Sequence, residues 1–461
     1  MKRFNLFIAV VMLSSVTACD RPNPDSTTTL ASTSPPEWSY SASIYEVNIR
    51  QFSEEGTFDA FRSELPRIRE MGVDIIWLMP IHPIGEVNRK GTLGSPYSVK
   101  DYFGINPDYG TTNDFRNLVE AVHENGMYLI LDWVANHTAW DNPLTVSNPE
   151  FFETNENGNF VPPHGTDWDD VIQLDYDNEE VWTYMTNALT YWVEEFGVDG
   201  YRCDVAYMVP TGFWNQARTA LDRIKPVFML AEADLPELHE QAFDMTYNWK
   251  IHHLMAGIAA GDATPDDLEM LIEEERLLFP SNAFRMQFTS NHDENSWAGT
   301  VFERLGDGAA TFAVLAATIE GMPLVYNGQE AGMVKRLEFF DKDSIEWKES
   351  PFRDIYTRLL NLKSENRALW NGEMGGRLQR IPTDRDESIF AFVRESGDDK
   401  VFVILNLTGN PADFSMDDSR IAGDYSSLFS GEEKSFPAEV IFSMDPWEYG
   451  VFVKLDERNG R

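Results

Sequence analysis

The sequence predicts an α/β protein, a (β/α)8 TIM barrel with a short excursion subdomain after strand 3 and a C-terminal antiparallel β-sandwich domain. Three observations predict this fold. Short apolar strands alternate with amphipathic helical patterns from residue 43 onward, which is typical of a parallel sheet. Charged residues follow four of these strands, as at the C-terminal face of such a barrel. Beyond Leu369 the pattern changes to alternating strands and turns.

Each predicted barrel strand is a short apolar run, and the helical patterns between strands end near a glycine, which favours a C-cap. The eight strands are Ile44 to Asn48, Asp74 to Met79, Tyr128 to Trp133, Gly200 to Asp204, Val227 to Ala231, Phe243 to Tyr247, Met286 to Thr289 and Leu324 to Tyr326. The helical patterns include Asp59 to Met71, Asn113 to Asn125, Glu180 to Phe196 and Ala309 to Glu320.

One connection interrupts the repeat after the third strand. Residues 138–177 carry many Asn, Pro, Gly and Asp residues without a helical period, so we expect an inserted subdomain over the barrel mouth. The barrel is expected over residues 39–369 and the terminal domain over residues 370–461. The predicted strands of that domain are Ser388 to Arg394, Lys400 to Leu407, Asp424 to Phe429 and Glu448 to Leu455.

The N-terminus has the pattern of an export signal. A basic start, the apolar run Leu6 to Leu13 and small residues before Cys19 are typical of a secretory signal peptide over residues 1–19, too short to span a bilayer. The stretch up to Cys19 resembles the lipobox of bacterial lipoproteins. This implies a lipidated Cys19 and an exported, membrane-anchored protein on the periplasmic or cell-surface side. An ordinary cleaved signal that contains a cysteine is the alternative. Residues 20–38, rich in Pro, Ser and Thr, are predicted to be a disordered tether.

The composition excludes several classes of function. A chain of 461 residues with 43% hydrophobic residues has enough apolar surface for a proper core. Its formal net charge of −39 repels phosphate backbones and anionic membranes, so neither nucleic acid nor a lipid surface is expected as a direct partner. Cys203 is the only cysteine besides Cys19, so no disulfide is expected within the folded part. No cluster of Cys and His predicts a metal site.

Four short strings place proton-carrying residues at the ends of predicted strands. In a parallel barrel these ends meet at one face, so four such strings in one chain predict an enzyme. The strings are Asp132 to His137, Tyr201 to Asp204, Ala231 to Asp234 and Ser290 to Asp293.

Together these strings resemble the four signature regions of the α-amylase family of retaining glycoside hydrolases, in the family's order. The resemblance covers nearly all of the mature chain, from Ile44 through the barrel and its insertion to the terminal β-domain. It implies an enzyme that acts on α-glucans.

Such an enzyme uses two carboxyl groups in different roles. Retaining cleavage needs an ionised nucleophile and, about 5 Å away, a second carboxyl that stays protonated. Arg202 lies two residues before Asp204 in the same predicted strand, so both side chains share a face and the cation should keep Asp204 ionised. Glu232 has no basic sequence neighbour, so burial should raise its pKa as a general acid requires.

The resemblance assigns further residues to substrate binding. It implies that Asp293 binds hydroxyls of the ring that distorts during the reaction, and that His137 and His292 hydrogen-bond the same ring. It implies that Tyr97 stacks on that sugar, and Arg202 belongs to the same site.

The chain also departs from the family pattern. Where many members have a Lys-His pair after the nucleophile, this chain has Tyr207 and Met208. Asn136 matches a family calcium ligand, but Gln173 places an amide where a carboxylate is expected, and calcium prefers charged oxygen ligands. We therefore predict no obligatory metal or other cofactor, with bound Ca²⁺ as the alternative.

The predicted function is hydrolysis of α-1,4 bonds in starch-like glucans or malto-oligosaccharides, with the nucleophile Asp204, the acid Glu232 and the third acid Asp293. One alternative is a neopullulanase-like, cyclodextrin-degrading or transglycosylating relative with the same chemistry. A second, of another class, is a non-catalytic glucan-binding lipoprotein, although binding alone would not require a proton donor. Protein partners are not predicted.

Overall fold

The computed structural model describes residues 34–455. The predicted signal peptide, Cys19 and most of the predicted tether lie outside the described residues. The end of that tether does not match the prediction, because Trp38 stacks on Tyr128 with ring centroids 3.8 Å apart. Burial of this indole against the barrel holds Trp38 in the folded part. No helix within residues 34–455 combines the length and apolarity needed to cross a membrane.

Eight parallel strands close into a barrel, as predicted. Their order around the barrel follows the chain, apart from two short strands that pair with each other, and the last barrel strand pairs with the first. The first ten strands are β1 (Ile44–Val47), β2 (Ile75–Leu78), β3 (Tyr128–Trp133), β4 (His137–Ala139), β5 (Val171–Gln173), β6 (Gly200–Cys203), β7 (Phe228–Ala231), β8 (Met245–Tyr247), β9 (Phe284–Phe288) and β10 (Met322–Tyr326).

Helices surround the barrel, and several of them bury one apolar face against it. In the helix Glu179–Phe196 the buried residues recur at helical spacing, and Gly197 ends the helix in the left-handed conformation with φ of 74°. The helices are α1 (Ile49–Phe52), α2 (Phe58–Arg62), α3 (Leu65–Glu70), α4 (Thr112–Glu124), α5 (Leu144–Ser147), α6 (Glu179–Phe196), α7 (Thr211–Asp222), α8 (Trp249–Ala260), α9 (Pro265–Leu278), α10 (Val301–Leu305), α11 (Ala309–Thr318) and α12 (Pro351–Glu365).

The single helix predicted over residues 59–71 is two helices, α2 and α3. Pro66 lies in the first turn of α3, where its missing N–H costs nothing. The same residue could not donate within a continuous helix, so the helix stops and restarts before it.

The insertion after β3 is tied down at its base. Its strand β5 pairs antiparallel with β4, and the Leu174 N–H donates to the Asn136 carbonyl over 3.1 Å. The insertion therefore returns to the barrel close to where it leaves, and its far part is placed beside the barrel mouth.

The C-terminal domain packs a six-stranded antiparallel sheet against a two-stranded one. Both sheets contribute to one apolar cluster, in which Phe402 comes from the larger sheet and Phe414 from the smaller. The strands are β11 (Gln379–Ile381), β12 (Ile389–Ser396), β13 (Asp399–Asn406), β14 (Ala412–Asp417), β15 (Gly423–Ser427), β16 (Glu433–Phe436), β17 (Glu439–Met444) and β18 (Tyr449–Lys454).

Candidate active site

A cleft of about 500 Å³ lies at the C-terminal ends of the barrel strands. Such a volume is typical of small-molecule and oligosaccharide sites. Six of the seven residues predicted to act on substrate line this cleft, namely Tyr97, His137, Asp204, Glu232, His292 and Asp293. The seventh, Arg202, lies fully buried on β6.

Arg202 joins three carboxylates. Its Nη1 lies 2.9 Å from Asp132 Oδ1 and 3.1 Å from Asp204 Oδ1, and its Nη2 lies 2.8 Å from Glu232 Oε2. Its Nε donates to the Tyr247 hydroxyl over 3.1 Å. Glu232, which has no basic neighbour in the sequence, thus contacts a cation from the neighbouring strand. Strands β6 and β7 pair Cys203 with Ala231, so the residues that follow them, Asp204 and Glu232, emerge side by side.

Val205 holds the general-acid candidate with its backbone. The Val205 N–H donates to Glu232 Oε2 over 2.7 Å. Val205 has φ of 36° and ψ of 47°, a left-handed conformation that is strained for a β-branched residue. Because both Val205 and Arg202 contact Oε2, a proton on Oε1 of Glu232 leaves both contacts intact.

Burial and mutual repulsion raise the pKa values of the two reacting carboxyls. Burial and the neighbouring Glu232 raise the pKa of Asp204 well above its ordinary value, although Arg202 opposes the rise. Burial raises the pKa of Glu232 against Arg202, and Asp293 adds to the rise. The sequence predicted that Arg202 keeps Asp204 ionised. In the structure, burial and Glu232 outweigh the effect of this one cation on the pKa of Asp204. The two carboxyls titrate as a coupled pair that favours one shared proton.

His292 and Asp293 form an ion pair on the other side of the cleft. His292 Nδ1 contacts Glu46, and His292 Nε2 lies 3.2 Å from Asp293 Oδ2. Burial opposes charge on the imidazole, but Asp293 and Glu46 raise the pKa of His292 well above its usual range. Although burial opposes this too, His292 lowers the pKa of Asp293. Asp293 is therefore ionised.

Tyr97 and His137 complete the hydrogen bonding around the acids. The Tyr97 hydroxyl donates to Asp132 Oδ2 over 3.0 Å and lies 2.8 Å from His292 Nε2, so it accepts from the charged imidazole. Burial lowers the pKa of His137 to about 3, which makes it neutral. Its Nδ1 accepts from Asn136 over 3.3 Å. The remaining hydrogen is then on Nε2, which lies 3.9 Å from Asp204 Oδ2.

Family models and solved structures match this chain along most of its length. Residues 26–157 and 165–363 match the model of the alpha amylase catalytic domain, and residues 381–450 match that of the alpha amylase C-terminal all-beta domain. The chain belongs to the alpha-amylase family.

Individual relatives agree with this assignment. "Alpha-amylase MalA" of Haloarcula japonica is 28% identical over 418 residues, which are 86% of this chain and 59% of the relative. A crystal structure of "a noncanonic maltogenic alpha-amylase AmyB from Thermotoga neapolitana" is 30% identical with a TM-score of 0.82, over 90% of this chain and 99% of the other. An alpha-amylase structure from Lactobacillus plantarum is 31% identical with a TM-score of 0.80, with the same coverage.

Sequence reasoning missed several residues of this alpha-amylase family site. Asp132 opens the first string, yet only the structure shows that it shares Arg202 with the reacting acids. The cleft also takes side chains from loops that carry no periodic pattern. The adjacent residues Phe339 and Phe340, after the last barrel strand, were the one feature of the sequence that could have indicated these loops. The missed residues of these loops are Lys90, Asp167, Asp170, Phe339 and Phe340, and the cleft is also lined by Trp168 and Trp297, which the sequence placed loosely near it.

The calcium position expected from the family contains an amide. Gln173 Nε2 donates to Asn136 O and Asn136 Oδ1, both over 3.0 Å, and to the Leu174 carbonyl over 3.1 Å. Three oxygens thus surround an NH₂ group, where a cation would need free acceptors and charged ligands. The residues present do not fit calcium here. Within residues 34–455, no group of three or more His, Cys, Asp or Glu side chains could hold a metal.

Proposed function

We propose that the chain is a retaining glycoside hydrolase that cleaves α-1,4-glucosidic bonds of starch-like glucans or malto-oligosaccharides. The observation that carries the proposal is the pair Asp204 and Glu232 on neighbouring nitrogens of one buried guanidinium, at the floor of the cleft. Retaining hydrolysis needs two close carboxyls of this kind.

The reaction has two displacements. In the first, a carboxylate oxygen of Asp204 bonds to the anomeric carbon while the bond to the leaving oxygen breaks, and Glu232 gives its proton to that oxygen. In the second, Glu232 takes a proton from water, the water oxygen bonds to the anomeric carbon, and the bond to Asp204 breaks. The first displacement requires the shared proton on Glu232 Oε1, the oxygen that neither Val205 nor Arg202 contacts, and Asp204 ionised beside Arg202.

The other residues hold the ring that reacts. The ionised Asp293 offers an acceptor for sugar hydroxyls, and the charged His292, whose two N–H groups face Glu46, Tyr97 and Asp293, holds that carboxylate in place. Neutral His137 presents an N–H beside Asp204, and the Tyr97 ring supplies a flat face for the C–H side of a pyranose. A silent binding protein would gain nothing from two coupled carboxyls with raised pKa values, so this arrangement favours catalysis.

The first test replaces the nucleophile. Asp204→Asn should lower turnover of maltoheptaose by roughly a thousandfold or more and leave the circular dichroism spectrum unchanged. Asp234→Asn is the matched control, because Asp234 follows the same strand as Glu232 but pairs with Arg285. Activity retained in Asp204→Asn would refute the assignment. Proton NMR of the first products should show the α-anomer, as retention requires.

Transglycosylation is a second candidate outcome of the same chemistry. Tyr207 is 58% exposed, and partial burial together with the charges of Glu232 and Asp204 raises the pKa of its hydroxyl. An exposed aromatic ring on the leaving-group side offers a platform for an acceptor sugar. Products longer than the substrate in the maltoheptaose assay would show this activity, and Tyr207→Ala should decrease their share.

We propose further that the protein is exported and held to the membrane by a lipid on Cys19. The basic start, the short apolar run and the small residues before Cys19 support this proposal. In a bacterial host, the unaltered chain should incorporate labelled palmitate and sediment with membranes, and Cys19→Ala should do neither. A Cys19→Ala chain that still sediments with membranes would contradict the lipid anchor.

A further inference from the structure

Three loops meet to form a wall along one side of the cleft. We define this wall as residues 90–93 from the loop after β2, residues 167–170 from the insertion, and residues 339–341 from the loop after β10. Lys90, Asp167, Asp170, Phe339 and Phe340 of the wall line the cleft.

Lys90 ties the first loop to the insertion. Its Nζ lies 2.9 Å from Asp169 Oδ1 and 3.2 Å from Asp170 Oδ1, and it donates to the Asp167 carbonyl over 3.0 Å. Asp170 is 5% exposed, so this contact is partly shielded from water and stronger than a surface ion pair. One lysine thus closes the gap between two segments that are far apart in the sequence.

The first loop is also bound to the third. The Leu93 N–H donates to the Phe340 carbonyl over 3.0 Å, and the Thr92 N–H donates to Asp341 Oδ1 over 2.8 Å. Gly91, with φ of 63°, lies so close that a Cβ there would come within 2.5 Å of Phe340 Cβ. Only glycine permits this approach, and the wall is therefore continuous from the insertion to the β10 loop.

The wall stands on the side away from the leaving group. Glu232 must face the leaving oxygen, so the reducing-end part of a glucan leaves past Glu232 and Tyr207. The non-reducing part extends the other way, past Tyr97. There the Tyr97 ring faces Phe339 at 6.1 Å between centroids, and Phe339 contacts Phe340 at 5.1 Å. The wall therefore begins at Phe339, one ring-to-ring step from Tyr97, and continues to Phe340.

We infer that this wall makes the protein an enzyme that acts on the non-reducing ends of α-glucans and releases a mono- or disaccharide, with Lys90 as a specificity-determining residue. This inference rests on the proposed function and names the substrate position that the same site accepts. A chain whose end stops against the wall fits, whereas a chain that continues past the wall has no path through it.

The test compares two forms of p-nitrophenyl maltoheptaoside. One has a free non-reducing end, and the other has its terminal hydroxyls blocked by an ethylidene acetal. Chromatography that follows the p-nitrophenyl group shows which bond is cut first. The unaltered protein should shorten the free substrate by one or two glucosyl units per cut and should cleave the blocked one at least about tenfold more slowly.

Lys90→Met is the variant that opens the wall, because methionine keeps the apolar stem and removes the cation. This variant should decrease the difference between the cleavage rates of the free and the blocked substrate, and it should release longer products. Lys100→Met is the matched control, since Lys100 also bridges to the insertion, 2.9 Å from Asp141 Oδ2, but does not line the cleft. It should behave like the unaltered protein.

The outcomes separate this inference from the function on which it rests. Equal rates on both substrates with internal cuts by the unaltered protein would overturn the inference and leave the hydrolase in place. A strong preference for the free end that Lys90→Met does not weaken would overturn the role of Lys90. No cleavage of either substrate would refute the proposed function itself, and this inference would fall with it.

Discussion

Replacement of Arg202 by methionine tests whether one cation organises the whole site. Methionine has a similar length and no charge, so Arg202→Met removes the attraction with little change in volume. Asp132, Asp204 and Glu232 then lie buried with their charges unbalanced. Removal of one partner from a buried ion pair costs about 3–5 kcal/mol. We expect the free energy of unfolding at pH 7.5 to decrease by an amount in this range.

The contacts of Arg202 explain why the loss is limited. At an effective dielectric constant of about 20, each contact near 3 Å provides roughly 5 kcal/mol of attraction, and there are three such contacts. The variant does not lose this sum, because the carboxyls bind protons instead. Arg202 lowers the pKa of each of the three, so its removal raises all of them further.

The pH dependence follows from this proton uptake. In the folded variant the carboxyl pKa values lie above those of the unfolded chain, so the folded state binds more protons there. Its stability deficit is then full at high pH and shrinks as the pH falls toward the unfolded values near 4, by about 1.4 kcal/mol per pH unit for each extra proton. The difference in thermal denaturation midpoint from the unaltered protein should therefore be larger at pH 7.5 than at pH 5.5.

A matched control separates charge from packing. Arg394 is also buried, but its hydrogen bonds go to backbone carbonyls, among them Gly376 O at 2.7 Å and Ile319 O at 2.8 Å. Carbonyls do not titrate, so Arg394→Met should destabilise the fold about equally at both pH values. If Arg202→Met also loses the same amount at pH 7.5 and pH 5.5, the three-carboxylate account of the site is wrong.

The remaining predictions concern the acid, its backbone partner and the calcium position. Burial raises the pKa of Glu232, and activity falls as its proton leaves, so the basic limb of the kcat/KM profile against pH should lie above the ordinary pKa of a glutamic acid. Glu232→Gln should abolish this limb. A limb at the ordinary pKa would contradict the assignment of Glu232 as the acid. Val205→Gly keeps the N–H and removes strain of about 1–3 kcal/mol, so differential scanning calorimetry should show an unchanged or higher Tm, and a clear decrease would count against a strained Val205. EDTA should leave the Tm of the unaltered protein unchanged. Gln173→Glu places a carboxylate beside the Asn136 oxygens, so the Tm of this variant should rise with added calcium. A decrease of the Tm of the unaltered protein in EDTA would refute the conclusion that the Gln173 amide excludes calcium.

The barrel was predictable because its strands differ sharply from their surroundings. All eight are short apolar runs buried along almost their whole length, and Tyr128–Trp133 has the predicted bounds. The terminal domain was harder to predict. Its strands β11, β14, β16 and β17 were missed because they are short or leave much of their length exposed, and they carry charged or small polar residues.

In the site, too, local features were predictable from the sequence and long-range contacts were not. The identities of Asp204 and Glu232 follow from their strings, because the barrel topology sends every strand end to one face. Their electrostatics do not follow, since the cation that contacts Glu232 comes from the neighbouring strand, through a register that the sequence does not state. The wall at Lys90 is less predictable still. It depends on three loops whose contacts have no periodic pattern, and these loops are where family members with the same acids are free to differ in substrate.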